Sequence, residues 1–101
     1  MKIEFRKRKD QQCFEIHAKA RSRWPRQVAD RYIQRIQIIQ QTVNFEELRR
    51  LPALRVHELK GDLRGIWSMT IHEKWRLLFE LIQADGQELI RITEVSNHYD
   101  D

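Results

Sequence analysis

The sequence has one cysteine, Cys13, so it can form no disulfide within the chain and no cysteine-based zinc site. Two prolines and three glycines are too few for a fibrous or low-complexity chain. No apolar run approaches the roughly 18 residues that a membrane span requires. The opening Met1-Lys2-Ile3-Glu4-Phe5 carries charge where a signal peptide needs an apolar core. No Gly-rich phosphate loop occurs, and no pair among His17, His57, His72 and His98 has the spacing of a helical metal motif. These absences predict a reduced, soluble, cytoplasmic protein that needs neither cofactor nor metal.

What is present is charge. The 101 residues, expected to form one domain over 1–101, carry 19 Lys and Arg against 15 Asp and Glu, a net +4. The surplus is uneven. Residues 1–26 hold nine cations and three acids, whereas residues 83–101 hold one cation and five acids. Within the basic head, Arg6-Lys7-Arg8-Lys9 reads either as a phosphate-binding patch or as a solvated connector.

Hydrophobic periodicity orders the elements. Lys2 to Arg6 alternates as a strand, with Ile3 and Phe5 on one face. Asp10 to Ala20 has an ambiguous period and reads as helix. From Pro25 to Gln41, Val28, Tyr32, Ile36 and Ile39 recur at spacings of three and four. Ala29, Ile33 and Val43 widen that stripe, and Arg26, Asp30, Arg31 and Arg35 fall outside it on the expected solvent side. Asn44 then caps a short helix ending near Leu51-Pro52. Beyond Pro52, strands are expected over Leu54–Leu59, Ile66–Ile71, Trp75–Ile82 and Glu88–Val95, with turns at 60–65, His72-Glu73 and Asp85-Gly86. This pattern predicts an α+β fold. An N-terminal strand and two or three helices pack on one face of a mainly antiparallel sheet that ends in a four-strand meander. The other face of the sheet is left for function.

On the strand from Trp75, alternation sets Trp75, Leu77, Phe79 and Leu81 toward the core and turns Arg76 to the opposite face. An arginine in that place either pairs with Glu80, two steps along, or binds an anion. Trp67 and Trp75 read as core aromatics. His57, Lys60, Arg76, His98 and Tyr99 fall at strand ends or on the open face. Scattered surface cations would look the same by composition. Brought together, these residue types suit metal-free phosphodiester cleavage by a ribose 2′-OH, which needs a base, an acid and cations for the phosphorane charge.

The segment Leu54-Arg55-Val56-His57-Glu58-Leu59-Lys60-Gly61-Asp62-Leu63-Arg64-Gly65-Ile66-Trp67-Ser68 and the following Lys74-Trp75-Arg76 strand resemble the HigB group of the RelE/ParE toxin superfamily. The resemblance implies a RelE-like fold and the toxin of a type II toxin–antitoxin pair that cuts mRNA, typically on the ribosome, without metal. It matches His57 to a catalytic histidine, Arg76 to a strand arginine and Lys60 to a turn lysine. The family's Asp-Tyr-His-like ending is replaced here by Asn97-His98-Tyr99-Asp100, so the resemblance leaves the last catalytic position to His98 or Tyr99, with Asp100 as a further candidate. Arg55, Arg64, Lys74 and the head residues Arg6, Lys7, Arg8 and Lys9 would contact RNA. The implied partners are a HigA-like helix-turn-helix antitoxin, the ribosome and mRNA, with operator DNA reached only through the antitoxin complex and no membrane. The alternative is a ParE-like gyrase poison or a non-catalytic binding protein, neither of which needs the His57/Arg76/His98 set.

Overall fold

A computed structural model describes residues 1–97; His98 and Tyr99 lie outside the described residues. Strand β1 (Lys2–Phe5) leads into helices α1 (Arg8–Glu15), α2 (His17–Arg23), α3 (Arg26–Gln41) and α4 (Phe45–Arg49). Strands β2 (His57–Glu58), β3 (Trp67–His72), β4 (Trp75–Ala84) and β5 (Gln87–Ser96) follow, with 3₁₀ turns at Pro52–Leu54 and Gly61–Leu63. The five strands form one sheet in the order β1-β5-β4-β3-β2. The expected antiparallel meander is β2 to β5, and β1 adds to its far edge parallel to β5.

Four helices cover one face of the sheet. Val28, Tyr32, Ile36 and Ile39 of α3, all essentially inaccessible, meet Met69, Ile71, Leu77, Phe79, Ile90 and Ile92 of the sheet in a single core. The predicted helix stripe and the β3 and β4 alternation therefore interlock. Trp67 and Trp75 pack against this core as expected, Trp67 with its ring edge-on to Phe45 at 4.8 Å. The Asn44 side chain accepts the Glu47 N–H at 2.9 Å, the capping bond its position foretold. Asp85 and Gly86 both adopt positive φ, which the tight β4–β5 turn demands and which Asp-Gly supplies.

Several expectations need correction. The single helix over Asp10–Ala20 is two helices broken at Ile16, which is extended. The break has a purpose in packing. In one straight helix Asp10 and Arg23 would lie about 20 Å apart; here Arg23 Nη1 reaches Asp10 Oδ1 at 2.7 Å. The strand over Leu54–Leu59 shrinks to His57–Glu58, because Pro52 opens a 3₁₀ turn and Arg55 takes a left-handed conformation. Val43 leaves the stripe after α3 ends and is 79% exposed. Arg35 is buried rather than solvated. Its Nε donates to Thr70 O at 2.9 Å and its Nη2 to Ile71 O, where β3–β4 pairing is irregular. Burial, and then the nearby Arg31 charge, lower its pKa, yet a guanidinium remains charged there. His72, placed by the sequence in a turn, is the last residue of β3 and is half-buried, with Nδ1 3.0 Å from Arg31 Nη1. Among the described residues, no helix is long and apolar enough to cross a membrane.

Candidate functional site

Register builds the site from two cross-strand rows on the face turned away from the helices. His57 of β2 pairs with Ser68 of β3, Ser68 with Leu78 of β4, and Leu78 with Glu94 of β5. One step along, Thr70 pairs with Arg76 and Arg76 with Ser96. His57 and Arg76 thus share a face. Two strand spacings and one same-face step separate their backbones by about 12 Å, a gap that two long side chains can close on a common phosphate. The face is not bare. Ser68, Arg76, Leu78, Thr93 and Ser96 are all buried, and Leu78 stands apart from the core cluster.

Each proposed reacting side chain is held by backbone carbonyls. Arg55, at φ 49°, sits where a β-carbon is strained, and its carbonyl lies 2.9 Å from His57 Nδ1. A carbonyl can only accept, so Nδ1 carries a proton and a neutral His57 ring presents Nε2 as its acceptor. Arg76 curls toward the β3–β4 turn. Its Nη1 donates to Glu73 O and, at 3.0 Å, to Trp75 O. Glu73 also has positive φ, which tips its carbonyl toward the guanidinium side of the turn. Glu80, the alternative partner for Arg76, faces Arg91 of β5, whose Nη1 is 3.8 Å from its carboxylate.

The remaining cations divide among separate places. Lys60 and Arg64 line one cleft with Glu58 and Leu59. The Glu58 carboxylate accepts the Gly65 N–H at 2.9 Å, which closes the loop that carries both cations. Arg6 and Lys7 line a second cleft of about 350 Å³ with Leu63, Ile66, Leu78 and Glu94. The basic head is therefore not remote from the proposed chemistry, as its place in the chain suggests. The parallel pairing of β1 with β5 carries its first two residues to the open face. Arg8 lines a neighbouring hollow, which Arg6 also borders, with Gln11, Gln12 and Glu15; Lys9 is exposed on α1, and Lys74 is exposed in the β3–β4 turn. Among the described residues, no group of three His, Cys, Asp or Glu is placed to hold a metal ion.

A family model described as a RelE-like toxin of the type II toxin-antitoxin system HigB matches residues 3–96. The chain belongs to the HigB-like toxin family. The curated protein Endoribonuclease HigB of Proteus vulgaris is 39% identical over 62 residues, which are 61% of this chain and 66% of that protein, so the match spans just under two thirds of the relative. Among solved structures, a YoeB/ParE toxin from Agrobacterium tumefaciens superposes with TM-score 0.58 at 18% identity, covering 98% of this chain and all of that one. YafQ from E. coli strain BL21(DE3) follows with TM-score 0.55 at 14% identity over 95% and 91% of the two chains. The YoeB–YefM complex from Staphylococcus aureus gives TM-score 0.53 at 18% identity over 98% of each chain. At these identities the three show the fold, which is RelE-like α+β.

Within this HigB-like fold, sequence reasoning missed Glu94. Strict alternation after Ile90 and Ile92 would turn Glu94 into the core. Thr93 is instead an extra residue, since Leu78 pairs with Glu94 while Phe79 pairs with Ile92. The bulge brings Val95 to the core and Glu94 to the open face. The signal was in the sequence: Ile90 and Ile92 are out of phase with Val95, so no unbroken strand could bury all three.

Proposed function

We propose that this chain is the toxin of a type II toxin–antitoxin pair and a metal-independent, ribosome-dependent mRNA endonuclease. The observation that carries this reading is the shared sheet face of His57 and Arg76, with the His57 ring fixed through Nδ1. In the reaction the ribose 2′-OH attacks the adjacent phosphorus. A base removes the 2′-OH proton as the P–O2′ bond forms. An acid protonates the 5′-oxygen as the P–O5′ bond breaks, leaving a 2′,3′-cyclic phosphate and a 5′-OH. His57 supplies one of these proton transfers through Nε2, and His98 or Tyr99 supplies the other. Arg76 and Lys60 face the charge that develops on the phosphorane. Arg55 and Arg64, with Lys74 and the head residues Arg6, Lys7, Arg8 and Lys9, contact phosphates of mRNA and rRNA. The whole of residues 1–101 acts as one cytoplasmic toxin domain. Its partner is a HigA-like helix-turn-helix antitoxin, and operator DNA is met only through that complex.

The test is induction in growing cells. The reading expects mRNA to lose integrity while DNA stays intact; DNA damage with intact mRNA would identify a gyrase poison instead. Arg76→Ala should lower mRNA cleavage about 100-fold, in line with removal of one charge-stabilising donor, and Arg76→Lys should restore part of it. Full activity in Arg76→Ala would remove this residue from the mechanism.

A further inference from the structure

The cleft between the basic head and the open sheet face has a composition that phosphate binding alone does not explain. Its floor is Leu78 and its wall is Leu63 and Ile66 from the loop after β2. Arg6 and Lys7 stand at one side, and the Glu94 carboxylate, half-buried, lines the same space. A carboxylate beside a binding site for polyanions repels them unless it has a task of its own. Among the described residues Glu94 makes no ion pair and accepts no hydrogen bond, although Arg6 and Lys7 line the same cleft. The Thr93 bulge is what turns it this way, and Thr93 Oγ1 anchors that bulge by donating to Leu78 O at 3.1 Å.

We infer that this cleft binds one base of the single-stranded RNA substrate and that Glu94 selects bases bearing an exocyclic amine. The inference rests on the endonuclease reading above and adds to it a residue that sets specificity. Single-stranded RNA is read by splaying bases out and bonding to their edges. The half-buried Leu63 and Ile66, beside the buried Leu78, offer an aliphatic surface to the flat face of any base without preference. Arg6 and Lys7 hold the flanking phosphates, which carry no sequence information. Selection therefore falls to the carboxylate. An ionised carboxylate only accepts. Cytosine and adenine offer it an amino group, N4 and N6 respectively, whereas uracil presents an oxygen at C4, as thymine does. Cytosine is bound; uracil places a lone pair against a negative charge. Glu94 lies in the same row as His57, three strand spacings or about 14 Å away. The selected base therefore belongs to a nucleotide near the scissile phosphate rather than to a remote docking segment.

Deoxycytidine and deoxyuridine hexamers test this directly. Both lack the 2′-OH and cannot be cut, and the two bases have equal stacking area. With the purified chain at one fixed salt concentration, fluorescence anisotropy should show the cytidine hexamer bound about tenfold more tightly than the uridine hexamer. Glu94→Gln, which offers a donor as well as an acceptor, should narrow that ratio to under twofold; Glu94→Asp should keep its direction. Arg6→Ala should weaken both hexamers equally and reduce the salt slope by about one. A wild-type chain that binds both hexamers alike, or a Glu94→Gln variant, folded by its thermal melt, that keeps the full ratio, would overturn the inference. The two readings fail separately. Intact mRNA together with a cytidine preference would sink the endonuclease and leave the base cleft standing, and cleavage without the preference would do the reverse.

Discussion

Replacing His57 with Ala is expected to reduce mRNA cleavage by about 10²- to 10⁴-fold, the range for loss of a positioned proton-transfer group. The fold should survive. His57 is only half-buried, on the two-residue edge strand β2, and lies outside the core cluster. His57→Gln separates proton transfer from shape. Its side chain can still donate to Arg55 O but cannot take up or release a proton at neutral pH. It should be as inactive as the alanine variant, with a thermal melt close to that of the parent. A Gln variant that still cleaves at a third or more of the parental rate would assign His57 to positioning and move proton transfer elsewhere.

Replacing Arg23 with Ala should have the largest effect on stability. Asp10 is completely buried, and its Oδ2 has no hydrogen-bond partner among the described residues. Its other oxygen depends on Arg23, which also lies 4.5 Å over the Trp24 ring and reaches Cys13 Sγ. Burial lowers the Arg23 pKa, but the hydrogen bond and charge of Asp10, with help from Cys13, outweigh it and leave the pKa raised. Tyr32 OH donates to Asp10 O at 2.6 Å, tying α1 to α3. Burial, and then the Asp10 charge, raise the pKa of that phenol, so it remains a donor. Without Arg23 a buried carboxylate stands alone, and such breaks cost about 3–5 kcal/mol. That is a large part of the roughly 5–15 kcal/mol that holds a domain folded. The paired change Asp10→Leu with Arg23→Met removes both charges and should recover most of the loss, because apolar replacements of buried pairs are often neutral. Urea unfolding measures both. A loss below about 1 kcal/mol for Arg23→Ala would show that the pair is not what joins α1 to α2.

The parts legible in the sequence are those fixed by one periodic rule. The α3 stripe, the β3 and β4 alternation, the Asn44 cap and the Asp85-Gly86 turn each follow from local chemistry, and each is in place. Placement of Arg76 on the face away from the core followed from the same alternation. What was not legible depends on contacts distant in sequence. Arg35 looked solvated because α3 alone has no use for it; β3, 35 residues on, supplies the carbonyls that bury it. The burial of Asp10 depends on the break at Ile16, which lets Arg23 fold back on it. Arg6 and Lys7 looked remote from His57 because the parallel pairing of β1 with β5 leaves no mark in either strand. Glu94 needed the Thr93 bulge, which only the phase change between Ile92 and Val95 betrays.

The central claim is the chemistry of the cut, and the ends it leaves test that claim most directly. Message added to translating ribosomes with the purified chain should yield upstream fragments ending in a 2′,3′-cyclic or 3′-phosphate and downstream fragments beginning with 5′-OH. Fragments carrying 5′-phosphate and 3′-OH would contradict attack by the ribose hydroxyl and with it the roles given to His57 and Arg76.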